Sequence, residues 1–550
     1  MRFDKCILLV MSVFLILFVS MSSLSAADNE TQILDMKDNS NEGTFSELAV
    51  EIASGGDINL TKSSYTYDSG STIQINKKGT IDGKGAIIDM AGSDIGVFNV
   101  NVEGVTLKNL TIKNTFANAT IFSQNFLNVE NCNFINNSAS YGGALSLLGG
   151  DNVLNCNFIS NSADVVGALY VQSGSISGCN FTDNSAVNHA GAVYLIRGSV
   201  ENCSFVNNSA SFYGGAAYIT SANVSGCNFT ANHVNSEYGG ALFINNGKIT
   251  YCNFKKNSAL DHGGAVYINL GNVSESDFTA NHVNGTAGAL HINSGNVNGC
   301  SFADNYASQK GGAVYVLSRG KIDYCDFTNN SANLGGGVFF EAYGDVEHCN
   351  FTDNCVSYYG GAVYMVVGNV SICHFSNNSA DFGGAVYLSL GNVSICSFSN
   401  NSAIYNGGSI CSAYSEVEYC DFAENHAYYG GAVFLVTGNM SNCEFINNSA
   451  SYGSSAFISS GNVSDSNFLN NSADTAGALY ISSGNIINCG FVNNSAQYGG
   501  AIYAVNASIE YVNFTSNAAA ADGGAVYCMD KAYVADSIFI NNSASRWHGL

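Results

Sequence analysis

The sequence predicts an all-β fold: a single-chain, right-handed parallel β-helix of about 24 residues per coil. Three observations predict it. First, phenylalanine recurs at Phe134, Phe158, Phe181, Phe205, Phe229, Phe254, Phe278, Phe302, Phe327, Phe351, Phe375, Phe398, Phe422, Phe445, Phe468, Phe491, Phe514 and Phe539, always 23 to 25 residues apart. Second, each of these 18 residues has an Asn three places on, from Asn137 to Asn542. Third, a glycine-rich unit follows nearly every Phe: GGALS from Gly142, GGAVY from Gly263, Gly311, Gly360, Gly383 and Gly523, and GGAIY from Gly499. Each period holds short β-branched or aromatic runs between Gly, Asn and Ser clusters, and no segment has a sustained helical period. One coil cannot bury its own apolar side, so stacking of coils must close the core.

The elements follow in chain order. Residues 1–27 read as a signal peptide, with Arg2 and Lys5 before the apolar run CILLVMSVFLILFVSM and a small-residue site at Ser25-Ala26-Ala27. The alternative is an uncleaved membrane anchor. Residues 28–44 read as a polar flexible lead. Residues 45–131 read as an N-terminal cap and irregular first coils. There Phe45–Ala53 forms a short amphipathic helix with Phe45, Leu48, Val50 and Ile52 as its apolar positions, covering the open end of the stack. Ile73–Ile75, Thr80–Asp82, Ala86–Asp89 and Val105–Ile112 are the first strands. Residues 132–550 are regular coils. Alternation places Cys132 and Phe134 inward, with Val266 and Ile268, and so places Ala265 and Tyr267 outward. The Asn of Phe-x-x-Asn suits a left-handed corner and side-chain hydrogen bonding along the axis. Leu550 follows Phe539 by only 11 residues, leaving the last coil incomplete and favouring a fragment or a truncated chain.

Composition narrows function. A net charge of -24 argues against nucleic-acid binding, and 46% hydrophobic with only 11% charged residues argues against disorder.

The GGA[ILV] and Phe-x-x-Asn pairs resemble the repeats of the polymorphic outer-membrane proteins of chlamydiae. The repeat NCxFxNNSAxxGGAVY, with its leader and acidity, is similar to the adhesin-like surface proteins of methanogenic archaea. GTIDGKG (Gly79–Gly85) and VTLKNLTIKN (Val105–Asn114) resemble the opening coils of pectate-lyase-like β-helices. These resemblances cover about residues 45–550. They imply a pectate-lyase-like superfold, export to the cell surface and adhesion; the chlamydial translocator barrel is not in this sequence.

Chemistry is sparse in the repeats. Fourteen of the 18 Cys occupy the slot two before the Phe, and Ser276, Ser466, Val512 and Ser537 fill it elsewhere. Ladder neighbours sit about 4.8 Å apart, beyond the roughly 3.5–4.5 Å between Cβ atoms that a disulfide needs. A buried thiol stack is favoured, disulfides between some coils being the alternative. No C-x-x-C occurs in the repeats, so no zinc site is expected. Asp183, Asp304 and Asp353 share a slot but lie coils apart. Asp82 and Asp89 read as solvated turn residues, the weaker alternative being a catalytic pair. His233, His282 and His426, with His189 and His262 near the Gly unit, read as solvated turn histidines. No catalytic residue, metal or cofactor is expected.

The suggestive binding feature is an aromatic row in the Tyr267 slot: Tyr170, Tyr194, Tyr218, Phe243, Tyr267, Tyr315, Phe339, Tyr364, Tyr387, Phe434, Phe457, Tyr480, Tyr503 and Tyr527. Ser146, His291 and Cys411 also occupy it, a mixture that suits a surface. Outward rings offer a stripe for sugars or proteins. Stacking that only stabilises the sheet, or an inward orientation, are the alternatives. Sequons such as Asn136-Asn137-Ser138 and Asn272-Val273-Ser274 suit glycosylation or plain turn chemistry. The sequence thus reads as a secreted or cell-surface adhesin-like glycoprotein, a rigid rod making multivalent contacts to glycans or proteins of other cells. End-to-end self-association is possible, and membrane contact comes only through the N-terminal segment if it is uncleaved. A carbohydrate-active enzyme and a structural envelope spacer are the alternatives.

Overall fold

The computed structural model describes residues 41–546, so the leader and residues 28–40 of the polar lead lie outside the described residues. The chain is a β-solenoid of about 21 turns. Three parallel sheets of 22, 27 and 18 strands run along it. One coil shows the unit. Around Phe254 it comprises Asn253–Lys255 in the first sheet, Ser258–Ala259 in the third, and Val266–Ser274 in the second. The next coil repeats it in strict register: Phe254 opposes Phe278, Ser258 opposes His282, and Val266 opposes Leu290.

Register is held by columns of like residues. The repeat Phe rings form one unbroken stack from Phe134 to Phe539, with neighbouring centroids between 4.5 and 5.4 Å, as for Phe468–Phe491 and Phe491–Phe514. The repeat Asn forms a second column inside the rod. Asn208 donates its amide Nδ2 to Oδ1 of Asn232 at 2.9 Å and to the carbonyl of Phe181 at 3.0 Å, and its backbone N–H to the same Oδ1 at 2.9 Å. One side chain thus ties three successive coils. It also answers a backbone N–H that the corner removes from the sheet ladder, which would be costly to bury unpaired.

The left-handed residue is therefore not the repeat Asn but the one before it. Asn136, Asn207 and Asn447 have φ of 53°, 53° and 54°. That reversal turns the following side chain inward, where Asn257 and its equivalents from Asn137 to Asn517 are buried.

The alternation rule also fails at the Gly unit. Ala265, expected to point outward, is buried in the core beside Val266. The cause is a bulge-like corner: the N–H groups of Ala265 and Val266 both donate to the carbonyl of Ala289, at 3.0 and 2.9 Å. Two consecutive residues then face the same side. The preceding Gly264 is required, since a Cβ there would lie 2.0 Å from the carbonyl oxygen of Gly288.

At the N-terminal end, Phe45–Ala53 is a helix closed by a capping box. Glu47 N–H donates to Thr44 Oγ1 at 3.2 Å, and Thr44 N–H donates to Glu47 Oε2 at 2.8 Å. Phe45, Leu48 and Ile52 are buried, one face at helical spacing. Val50, expected among them, lies off that face and is 76% exposed. Glu42–Thr44, read as part of the flexible lead, is a strand paired with Ser64–Thr66. The stretch Val105–Ile112 divides into Val105–Lys108 and Thr111–Lys113, with Asn109 left-handed between them.

The asparagine column sets a test. Asn257→Ala removes the acceptor of the Asn232 backbone N–H and of one N–H of its side-chain amide, which keeps its bond to the Phe205 carbonyl, and removes the Asn257 donor to the Phe229 carbonyl. We expect a loss of about 2–4 kcal/mol in chemical denaturation, whereas Lys256→Asn, at the exposed left-handed neighbour, is neutral or stabilising.

Candidate functional site

The aromatic row lies on the outer face of the second sheet, and register stacks it ring on ring. Tyr170 opposes Tyr194, and Tyr364 opposes Tyr387. Tyr194–Tyr218, Phe339–Tyr364 and Phe457–Tyr480 have centroids 4.7, 4.5 and 4.5 Å apart and planes within 8°. The faces of the inner rings are consumed by their neighbours, leaving edges and hydroxyls to solvent. Several hydroxyls are also engaged. Tyr218 accepts from Asn245 at 3.1 Å, and Tyr315 donates to Glu341 at 2.9 Å, while Lys310 pairs with Glu341 at 2.7 Å and lies 4.7 Å from the Phe339 ring centroid. The slot is outward but covered: Ser146, His291 and Cys411, expected at a surface, are buried.

What covers it is a second aromatic row that sequence reading missed, at the position before the Gly pair. Tyr213 packs 5.2 Å from Phe243, Tyr238 4.9 Å from Tyr267, His262 4.9 Å from His291, and Tyr359 4.8 Å from Tyr387. The signal was present as YGG, HGG and FGG, but Lys310, Leu334 and Asn406 share the slot and dilute it.

The histidines divide accordingly. His426 is exposed and bonded to Ser449. His189 and His262 belong to the second aromatic row, and His233 and His282 are half-buried, so four of the five are not simply solvated; burial lowers the pKa of each of these four. His291 stacks between Tyr267 and Tyr315 at 4.5 and 4.8 Å. Its pKa is pushed down to about 3, first by burial and then by His262, against the hydrogen bond that its Nε2–H donates to Asn293 Oδ1 at 2.9 Å.

Asp82 is buried, not solvated. Its carboxylate accepts from Lys84 N–H at 3.0 Å and Asn109 Nδ2 at 2.9 Å and pairs with Lys84 and Lys108. Burial alone would raise its pKa, but the Asn109 and Lys84 contacts hold it well below the usual carboxylate range. Asp89 repeats the pattern with Asn114 and Lys113. Asp183, Asp304 and Asp353 sit on separate coils at φ near 55–57°. Sequence reading did not connect Asp323, Glu347 and His348, whose ligand atoms lie within 4.8 Å of one another. Register brings Asp323 opposite Glu347, and Lys321 pairs with both, at 3.0 and 2.8 Å. The lysine makes this a closed ion network.

The fourteen ladder cysteines are free and buried. Their chemistry is local. Cys132 N–H donates to Cys156 Sγ at 3.4 Å, and Cys132 Sγ–H donates to the Glu130 carbonyl at 3.2 Å. Where Ser276 and Ser466 replace Cys, their Oγ atoms accept the same N–H, from Cys252 and Cys443, at 3.1 Å. Cys and Ser offer the same small side chain with an acceptor, which explains their exchange; Val512 fills the slot by size alone.

Residues 511–529 match the family model of the Chlamydia polymorphic membrane protein repeat. No curated protein and no solved structure matches the chain. The matched stretch is the coil of Phe514, holding its Phe-x-x-Asn and Gly523-Gly524-Ala525. Repeat and β-solenoid together are consistent with a repetitive surface protein.

Two expectations follow. Thiol reagents leave the ladder cysteines unmodified in the folded protein and label Cys528, which is exposed; burial holds Cys489, for example, up at about 12. His291 contributes stability that is complete above pH 6.5 and declines as pH falls toward 3, because the unfolded chain binds the proton first. His291→Tyr, the residue of neighbouring coils, removes about 2.5–3 kcal/mol of that acid sensitivity between unfolding measured at pH 7.5 and at 4.5.

Proposed function

We propose that the chain is an extracellular adhesin-like rod that makes many weak contacts to the glycans and proteins of other cells. The observation that carries this reading is a ridge of aromatic and aliphatic side chains on five consecutive coils. Tyr324, His348, Ile372, Ile395 and Tyr419 occupy the corner three residues before the Phe, all with left-handed φ of 49–54°. Tyr324, Ile395 and Tyr419 are 57–60% exposed. Five other coils place Asn131, Asn155, Asn202, Asn442 and Asn488 there, residues that adopt this conformation readily, while Tyr251 and Tyr511 repeat the aromatic choice on isolated coils. A β-branched Ile at positive φ is strained, and exposure returns no burial energy for the strain. Retaining apolar residues at such positions fits contact with another surface.

The rod supplies the rest of the mechanism. About 21 turns at about 4.8 Å per strand give a length on the order of 100 Å. A rigid rod repeating one surface at constant spacing turns modest single contacts into avidity. In this reading the protein binds without catalysis, consistent with acids held on separate coils or locked to lysines. Cell-surface location agrees with the chlamydial repeat match.

The test is adhesion of beads coated with the full chain to cell monolayers and glycan arrays. Replacing Tyr324, Ile372, Ile395 and Tyr419 by Asn keeps or raises thermal stability and lowers retention about tenfold or more, as expected when several contacts act together. Retention no better than albumin-coated beads, or unchanged in the ridge variant, refutes the reading.

A further inference from the structure

The aromatic row has an end, and the end is open. Following the slot toward the N-terminus, Tyr170 opposes Ser146, Ser146 opposes Phe122, Phe122 opposes Asn99, and Asn99 opposes Gln74. Tyr170 stacks on Tyr194 at 5.5 Å, and the slot on its other side holds a serine instead of a ring. Phe122 and Tyr170 are two coil rises apart, about 9–10 Å. Rings in this row normally sit 4.5–5.5 Å apart, as in Phe457–Tyr480 and Tyr315–Phe339. The row therefore lacks a ring at Ser146, as it does at Cys411 between Tyr387 and Phe434, and here the gap is floored by the serine, which is itself buried.

That gap opens into a cleft of about 680 Å³ lined by Phe122, Ser146 and Tyr170, by Tyr141, and by the turns carrying Asp94 and Asn118. The volume falls in the range of small-molecule sites. The cleft exists because the third sheet begins only at Ser138–Ala139, so the first coils turn this corner in loops. Its polar lining is ordered. Gln74 Oε1 accepts from Asn99 and Asn101 at 3.0 Å each, and Gln74 Nε2 donates to the Thr72 carbonyl at 3.0 Å. Among the described residues, Asn99 Oδ1, the Asn118 amide and the Asp94 carboxylate make no protein hydrogen bond. Tyr141, 57% exposed, stands beside them.

We propose that this gap is a saccharide subsite, in which a pyranose ring lies between Phe122 and Tyr170 and its hydroxyls bond to Asn99, Asn118 and Asp94. Flat apolar faces with an oxygen- and amide-rich rim match a sugar ring, which is apolar on its C–H faces and polar at its edge. A phenyl side chain would fill the gap and leave the rim unanswered. No Lys, Arg or His lines the cleft and one carboxylate does, so the ligand is a neutral sugar, not a uronate. A single carboxylate serves binding and does not make the pair that glycoside hydrolysis uses. The subsite deepens the adhesin reading and rests on it for its biological role, not for its geometry.

The test titrates the full chain with cellobiose, maltose, lactose and diacetylchitobiose, with digalacturonate as the acidic comparator, by calorimetry and saturation-transfer NMR. We expect saturable binding of at least one neutral disaccharide and none of digalacturonate. Tyr170→Ala and Phe122→Ala weaken it at least tenfold; Tyr480→Ala, far along the row, leaves it unchanged. The decisive variant is Ser146→Tyr, which supplies the missing ring as other coils do. It should fold with equal or higher thermal stability and lose binding. Absence of binding to all four neutral sugars overturns the subsite, as does binding that survives Ser146→Tyr or an aromatic peptide as the only ligand. Bead adhesion separates the two proposals. Adhesion kept by Ser146→Tyr leaves the adhesin reading standing on the ridge, and sugar binding without adhesion leaves the subsite standing alone.

Discussion

The buried asparagine column is the interaction on which the rest of the solenoid depends. Each amide reaches one coil forward and one coil back, and in doing so satisfies groups that a corner necessarily strips from the sheets. In a core otherwise made of Phe, Val, Leu, Ile and Cys, an amide that slipped by a coil position would be left unpaired at a cost of a few kcal/mol. Register is thereby specified by polar groups, while the stacked Phe rings supply burial without much positional preference. The thiol and hydroxyl acceptors of the Cys slot do the same work more weakly at the other end of each Phe strand.

Much of this was legible in the sequence, because a repeated residue reports its environment once per coil. Phe, Cys and the aliphatic pair were placed correctly by alternation alone. Ala265 was not, since two amides converging on one carbonyl break a period of two, and no residue type announces that convergence. The repeat Asn was credited with the backbone conformation of its predecessor. The second aromatic row escaped notice because Tyr, His, Lys, Leu and Asn share its slot, so no single letter recurs. The cleft was invisible for a different reason. It depends on which residues of irregular coils fall opposite one another, and only the register shows that Ser146 interrupts a line of rings.

The aromatic row changes meaning in three dimensions. Its inner members pack against each other and against the second row, so they stiffen a corner more than they advertise a surface. Free surface belongs to residues outside it, the ridge from Tyr324 to Tyr419, and to its N-terminal end at Tyr170. The same stacking that closes the interior of the row makes that end geometrically definite.

The regularity of the columns has a consequence for how such a chain changes over generations. Every coil presents the same donors and acceptors upward that it receives from below. Excision or duplication of one whole period, from one Phe to the next, joins Asn to Asn and ring to ring with no new junction to solve. The length of the rod can therefore be altered in steps of a single strand spacing by recombination between coils that share these columns, without redesign of the interfaces on either side.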